Sequence, residues 1–219
     1  MILGSVTDCY NYLEKKYERT REFLKQMAGS GINLIITTKS DLVLRDLDLI
    51  KTYNDPLVSL SLNTLDEEFK NDMDKAVSIK RRIEALKILH KNNIRTTCFI
   101  SPIFPEITNV FDIIEEVKDY TDYIWLENLN LRGSYKPKIL NYIKEKYPDL
   151  VDLYDNIYNK NDNSYWEDLN NKVSDYANKF GFMYVEDKEP FLINKTDKPI
   201  IINYFYHEKI TQKAKKQKN

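Results

Sequence analysis

Two cysteines, Cys9 and Cys98, in 219 residues cannot build a disulfide framework, and by themselves they cannot hold a zinc or iron-sulfur centre made of cysteine alone. Glycine is scarce, with five in all, and no GxGxxG or GxxxxGK[ST] loop follows the first apolar stretch. That absence argues against dinucleotide-binding and P-loop folds. No apolar run approaches the roughly 20 residues needed to cross a bilayer, so no membrane partner is expected. Met1-Ile2-Leu3-Gly4-Ser5 has no basic segment leading into a long apolar one, so no secretory signal is read and the expected compartment is the cytoplasm. A charge excess is lacking too: 33 basic residues face 34 acidic ones, and the overall balance demands neither a nucleic acid nor an anionic membrane. Basic residues do gather in the last eleven positions, where Lys209, Lys213, Lys215, Lys216 and Lys218 stand with no acid. We read 209–219 as a solvated, flexible tail, with a non-specific phosphate contact as the alternative.

What remains, 42% hydrophobic and 31% charged residues, is the make-up of a globular chain with one main domain. Short apolar runs alternate with longer amphipathic ones, the pattern of strand-helix units around a parallel sheet. The runs Leu34 to Thr38, Leu57 to Leu62, Thr96 to Ile100 and Tyr123 to Leu126 read as strands, with a stub at Ile2-Leu3. Leu13, Tyr17, Leu24 and Met27 predict one helix face, closed by Gly29 and Gly31. Ile83, Leu86, Leu89 and His90 mark a second helix, in which His90 is read as a residue near the core and not a ligand. Val110, Ile113, Ile114 and Val117 mark a third. Beyond residue 135 the chain becomes tyrosine-rich and mostly helical, from Tyr142 to Tyr158 and from Tyr165 to Phe180, with turns near Pro148 and at 159–163. Two apolar runs, Phe182 to Val185 and Ile200 to Ile202, predict short strands. The pattern is that of parallel α/β, which an open doubly wound sheet and a barrel both fit, and the expected organisation is an α/β unit over 1–135, a mostly helical extension over 136–208 and the tail.

Polar groups recur where each strand ends: Ser5, Thr7 and Asp8; Lys39, Ser40 and Asp41; Ser61, Asn63 and Thr64; Ser101 and Pro102; Glu127 and Asn128. A parallel barrel gathers its strand-to-helix loops around one pocket on that side, so these are candidate site residues. Helix capping accounts for Thr64 and Asp41 but not for Lys39 or Glu127. A lysine in such a place is a carboxylate or phosphate clamp, an imine-forming nucleophile or a surface cation. Ser61 and Asn63 alternate along a strand and suit a sugar's hydroxyls. Glu127, beside Trp125, can accept hydrogen bonds from a ligand or pair with Arg132.

The strings Gly4-Ser5-Val6-Thr7-Asp8, Thr38-Lys39-Ser40-Asp41, Ser59-Leu60-Ser61-Leu62-Asn63-Thr64-Leu65-Asp66, Ile100-Ser101-Pro102-Ile103-Phe104-Pro105 and Trp125-Leu126-Glu127-Asn128-Leu129-Asn130-Leu131-Arg132 resemble radical S-adenosylmethionine (radical SAM) enzymes. Within them the chain looks like the spore photoproduct lyase-like branch, including the small radical SAM mobile pair protein B. The resemblance, which runs from residue 2 to about 180, implies a partial (β/α)6 TIM-like barrel that binds S-adenosylmethionine across its strand ends. It also implies a [4Fe-4S] cluster, which reduces that cofactor to methionine and a 5′-deoxyadenosyl radical. By position, Thr7 and Asp8 match the loop that contacts the methionine amino group, and Lys39 matches a lysine holding the carboxylate. Ser61 with Asn63 match the strand lining the ribose and methionine, Ser101 and Pro102 match the loop beside the adenine, and Glu127 and Asn128 face the substrate.

One departure is large. The family's CxxxCxxC loop, whose three thiolates bind the cluster, has no counterpart in these 219 residues, and Cys9 and Cys98 do not substitute for it. The chain reads as opening inside the second barrel strand, an N-terminally truncated barrel expected to bind no cluster alone and to be inactive by itself. Cys9 also follows Asp8, whereas the hydrogen-donating cysteine of spore photoproduct lyase precedes the matching Asp. Three functions stay open: a radical SAM enzyme of this branch, with a nucleic acid as a weaker candidate partner; a cluster-free binding or scaffolding remnant, completed by a second polypeptide; and a cofactor-independent barrel enzyme using Lys39 as an imine-forming nucleophile.

Overall fold

The structure is a computed structural model, described here over residues 1–186 and 200–205. The expected tail at 209–219, and the parts of the C-terminal extension at 187–199 and 206–208, lie outside those residues. Seven strands form one sheet in the order β1-β2-β3-β4-β5-β7-β6. They are β1 (Ile2–Leu3), β2 (Asn33–Thr38), β3 (Asn54–Ser61), β4 (Arg95–Ile103), β5 (Tyr123–Asn128), β6 (Met183–Glu186) and β7 (Ile201–Phe205). Each expected strand is present to within a few residues at its ends, and the C-terminal region, read as mostly helical, also contributes β6 and β7. Contacts divide the chain into a first unit of Met1–Ile100 with Val110–Trp125 and a second of Ser101–Asn109 with Leu126–Asn219. The division falls within β4 and β5.

In the first unit β1 to β4 run parallel, with Ile36 opposite Val58 and Ser59 opposite Thr97. Because side chains alternate across a strand, the register sorts them onto two faces. Leu34, Ile36, Val58, Leu60, Cys98 and Ile100 share one face and are all at most 1% exposed. The helices α3 (Leu47–Ile50), α4 (Glu67–Met73), α5 (Ile79–Lys91) and α6 (Val110–Val117) belong to this unit, and α5 packs on β3 and buries Ile83, Leu86 and Leu89. His90 is a correction: it is exposed at the end of that helix, outside the core.

The first expected helix is broken. It consists of α1 (Glu14–Tyr17) and α2 (Arg19–Met27), with Glu18 between them in the left-handed region at φ 50°. Leu13 and Tyr17, assigned by spacing to the inner face, are 44% and 52% exposed, and Glu14 is buried in their place. The reason is local. The Glu14 carboxylate accepts from the backbone N–H groups of Thr20 (3.0 Å) and Arg21 (3.3 Å), satisfying donors that the first turn of α2 leaves free.

Two constraints hold the entry to the sheet. Gly4 sits at φ +86°, and a Cβ there would lie 1.9 Å from the carbonyl oxygen of Thr37, so the segment after β1 approaches β2 as only glycine permits. Asp46, at the end of a 3-10 turn, Asp41–Asp46, is 0% exposed. It accepts from Arg21 Nη1 (2.6 Å), Arg45 Nε (2.8 Å) and Nη2 (2.9 Å), and Tyr10 Oη (3.0 Å). Burial alone raises its pKa, but the hydrogen bonds from Arg45, Arg21 and Tyr10 outweigh burial and hold it below the usual carboxylate value.

The second unit contains α7 (Tyr135–Lys146), α8 (Val151–Tyr158) and α9 (Ser164–Phe180), with β6 and β7 parallel to each other. Gly181, at φ 71°, ends α9. Trp166 and Tyr154 are fully buried, and the Tyr154 hydroxyl donates to the Pro105 carbonyl (3.2 Å).

Substituting Asp46→Ala leaves two guanidinium groups without their shared partner, and urea unfolding at pH 7 is expected to show a loss of about 3–5 kcal/mol. A carboxylate with a depressed folded-state pKa contributes stability above its unfolded pKa and loses it as pH falls through the folded value. The gap between parent and variant should therefore narrow below roughly pH 4. Gly4→Ala is expected to lower the melting temperature through loss of the β1-β2 approach, and an unchanged melting curve would contradict that role.

Candidate functional site

Asp8, in the loop after β1, organises the end of β2. Its Oδ1 accepts from Tyr10 N (2.8 Å) and Thr38 Oγ1 (2.7 Å), and its Oδ2 accepts from Lys39 N (2.8 Å). Thr38 Oγ1 in turn accepts from Ser40 N (3.0 Å), and Ser40 Oγ accepts from Leu42 N (3.2 Å) to cap the 3-10 turn. The capping expected of Asp41 is thus performed by Ser40, while Asp41 forms a two-point ion pair with Arg81, 2.7 Å on each side. Thr7 is exposed in the same loop.

Asp8, Tyr10, Lys39, Ser40, Arg45 and Lys75 are among the residues lining a cavity of about 700 Å³, which Thr7 does not reach. That volume lies within the range of small-molecule sites. The backbone of Lys39 is fastened, but its side chain is not. The ammonium lies 3.3 Å from Asp74 Oδ2 and, among the described residues, donates no hydrogen bond.

Asp74 follows α4 (Glu67–Met73) and belongs to a compact ionic network. Its Oδ1 accepts from Arg82 Nη2 (2.7 Å) and from Ala76 N (3.0 Å), and Lys70 Nζ stands 3.8 Å away. Arg82 also donates to the carbonyls of Ser61 (3.1 Å) and Val77 (3.0 Å), so the same guanidinium grips the end of β3. Burial opposes ionisation of Asp74, but the charges of Arg82 and Lys39 prevail and hold its pKa below the ordinary value. Asp74 and Arg82 were not among the expected site residues. The signal was present in the helix: Arg82 lies four residues before Leu86 and seven before Leu89, a charge set into an apolar face and 1% exposed.

Ser61 and Asn63 are both buried, at 7% and 5% exposure, with Ser61 the last residue of β3 and Asn63 just beyond it. The capping expected of Thr64 belongs to Asp66, which accepts from Glu68 N (2.8 Å) and Phe69 N (3.4 Å); Thr64 Oγ1 accepts from Asp66 N (3.0 Å). On the face of Ser61, one pair further into the sheet, Ser59 and Thr97 stand opposite each other. Their hydroxyls are buried and have no hydrogen-bond partner among the described residues. One face of these strands thus carries Ser59, Ser61 and Thr97, and the other Val58, Leu60 and Cys98.

In the second unit Ser101 and Pro102 lie within β4 and Glu127 and Asn128 within β5, not in the loops that follow. Ser101 Oγ donates to Glu127 Oε2 at 2.5 Å. Arg132, offered above as a partner for Glu127, is exposed and donates to Asn130 Oδ1 (2.9 Å) instead.

The thiols do not fit an iron-sulfur cluster. Cys98 is fully buried in β4, and burial pushes its pKa up; burial, reinforced by the Asp8 charge, pushes Cys9 up to about 12. Thiolates are the ligands a cluster requires, and both environments oppose the thiolate. Among the described residues no group of three or more His, Cys, Asp or Glu side chains could hold a metal ion. No helix among them is long and apolar enough to cross a membrane.

The chain is 39% identical over 155 residues to an uncharacterised protein of Methanocaldococcus jannaschii, covering 70% of this chain and 59% of that one. It is 29% identical over 145 residues to an uncharacterised protein of Acidianus two-tailed virus, covering 62% and 48%. It therefore spans about half the length of the curated relatives it matches. Its fold is similar to that of Streptococcus suis SuiB bound to S-adenosylmethionine, with a TM-score of 0.56 at 17% identity over 87% of this chain and 37% of that one. SuiB bound to its precursor peptide SuiA gives 0.52 at 16% identity, covering 85% and 35%. The model of the radical SAM superfamily matches residues 1–120, more than half of the chain and all of β1 to β4, and the chain belongs to that superfamily.

Proposed function

We propose that this chain carries the S-adenosylmethionine-binding part of a radical SAM enzyme of the photoproduct lyase-like kind, whose reaction is reductive cleavage of that cofactor. The observation that supports it most directly is the Lys39 ammonium at the cavity edge, its backbone fixed by Asp8 and its donors unused by hydrogen bonds. In this reading Lys39 holds the carboxylate of S-adenosylmethionine, a charge-assisted contact of the strong kind. Asp8 receives the amino group: its carboxylate already accepts three hydrogen bonds, and Oδ2, with one of them, retains a free lone pair. Thr7 borders the same end, Ser61 and Asn63 serve the ribose side, and Ser101 and Pro102 serve the adenine. Glu127 and Asn128 are the residues assigned to the substrate. When bound, S-adenosylmethionine supplies the adenosyl group and the sulfonium bond that breaks, while the residues named here bind and orient it.

The reading is tested by titrating S-adenosylmethionine into the purified chain by calorimetry, with Lys39→Met beside it. Loss of a hydrogen bond to a charged group is expected to weaken binding about tenfold or more. Equal affinity in parent and variant would remove Lys39 from the site.

A second reading, a cluster-free binding protein acting with a second polypeptide, draws support from the thiols. Two cysteines whose surroundings disfavour the thiolate fall short of the three thiolates of the family's cluster loop. Anaerobic treatment of these 219 residues with iron and sulfide is expected to leave iron at background. A stoichiometric cluster would overturn the ligand assignment and favour a self-sufficient enzyme. Trapping of a carbonyl compound on Lys39 by borohydride would favour the imine chemistry over both.

A further inference from the structure

We infer that Asp74 is an internal counter-ion that occupies Lys39 in the free protein and yields it to the carboxylate of an incoming ligand. The inference rests on the proposed clamp role of Lys39 and adds a contact that lowers the affinity of that site.

Three features of the geometry point to a displaceable pairing. First, Asp74 does not depend on Lys39 for neutralisation. The buried Arg82 donates to it at 2.7 Å and Ala76 N at 3.0 Å, and Lys70 adds a third cation at 3.8 Å. One carboxylate thus faces three cations, and withdrawal of Lys39 leaves it paired.

Second, Lys39 is the loosest member of the network. It is 3.3 Å from Asp74 without a hydrogen bond, on a side chain 35% exposed, whereas the Arg82 side chain is 1% exposed and bonded to two carbonyls besides Asp74. An ammonium has three donors, and a carboxylate arriving from solvent can take them in good geometry.

Third, the place is right for exchange. Lys39 borders the cavity of about 700 Å³, and Lys75, Ala76 and Val77, the three residues that follow Asp74, line it as well. A ligand in that cavity meets Lys39 without disturbing the Asp74–Arg82 pair that holds the end of β3.

The decisive variant is Asp74→Asn, which retains an acceptor for Arg82 while removing the competing charge. S-adenosylmethionine is expected to bind it about threefold more tightly than the parent, the size of a partly exposed ion pair. Two controls separate competition for Lys39 from a general gain in positive potential. In a Lys39→Met background the same substitution should add nothing, and decarboxylated S-adenosylmethionine should bind parent and Asp74→Asn alike. Unchanged or weaker binding of S-adenosylmethionine by Asp74→Asn, while Lys39→Met still weakens it, would overturn the counter-ion role and leave the clamp standing. Equal tightening for the decarboxylated ligand would overturn it too. No effect of Lys39→Met would remove the clamp and this inference together.

Should Asp74→Asn fail to fold, NMR of the lysine side-chain amines in the unaltered chain gives the answer. The Lys39 signal should move with S-adenosylmethionine and stay in place with the decarboxylated ligand. A signal unmoved by both would mean that Lys39 remains on Asp74.

Discussion

A guanidinium group that is 1% exposed has to be neutralised and hydrogen-bonded, and Arg82 meets that requirement in a way that shapes the whole strand-end region. It lies on α5, reaches the last carbonyl of β3 and the Val77 carbonyl, and draws Asp74 into place behind them. Asp74 then brings Lys39, from the end of β2, within ion-pair distance. Three elements that the chain visits at different times are fastened by one cation. The rigid part of the arrangement is Arg82 with Asp74, and the adjustable part is Lys39.

The neighbouring ionic cluster has a different character. Asp46 is fully buried and saturated by Arg21, Arg45 and Tyr10, so all its members are held by one another. Such a group stabilises and defines local structure, its central carboxylate accepting four hydrogen bonds and held by two guanidinium groups at once. Asp8 stands between these extremes. Its three accepted hydrogen bonds tie the loop after β1 to the end of β2, and it still has acceptor capacity. A ligand site needs residues of the first and third kinds, and the strand ends of the first unit provide both.

The sheet was legible in the sequence because its inner face is aliphatic at every second position, as in Leu34-Ile35-Ile36 and Val58-Ser59-Leu60. The strings carrying the family resemblance were legible for the same physical reason that they matter: they stand where strands end and backbone groups must find partners. Other parts were hidden because periodicity counts spacing and not competition. Leu13 and Tyr17 have helical spacing with Leu24, but a carboxylate at Glu14 that caps the following helix broke the run and turned both outward. Thr64 and Asp41 have capping chemistry, but Asp66 and Ser40 stand closer to the free N–H groups. Asp74 was invisible in the sequence, since nothing in Asn71-Asp72-Met73-Asp74 marks which of two aspartates meets a buried arginine.

Binding and redox chemistry rest on separate physical terms in this chain. Holding an amino acid's carboxylate and amine requires a cation with unused donors and an acceptor with unused lone pairs, both of which survive in water-accessible surroundings. Holding iron requires thiolates, and these are disfavoured where the cysteines lie: Cys98 behind a sheet of aliphatic side chains, and Cys9 next to the charge of Asp8. The Asp8 carboxylate, which accepts three hydrogen bonds, is also the charge that raises the thiol beside it. In the loop after β1, then, a carboxylate with acceptor capacity left stands beside a thiol held in its neutral form, an environment suited to a cationic group and unsuited to a thiolate ligand.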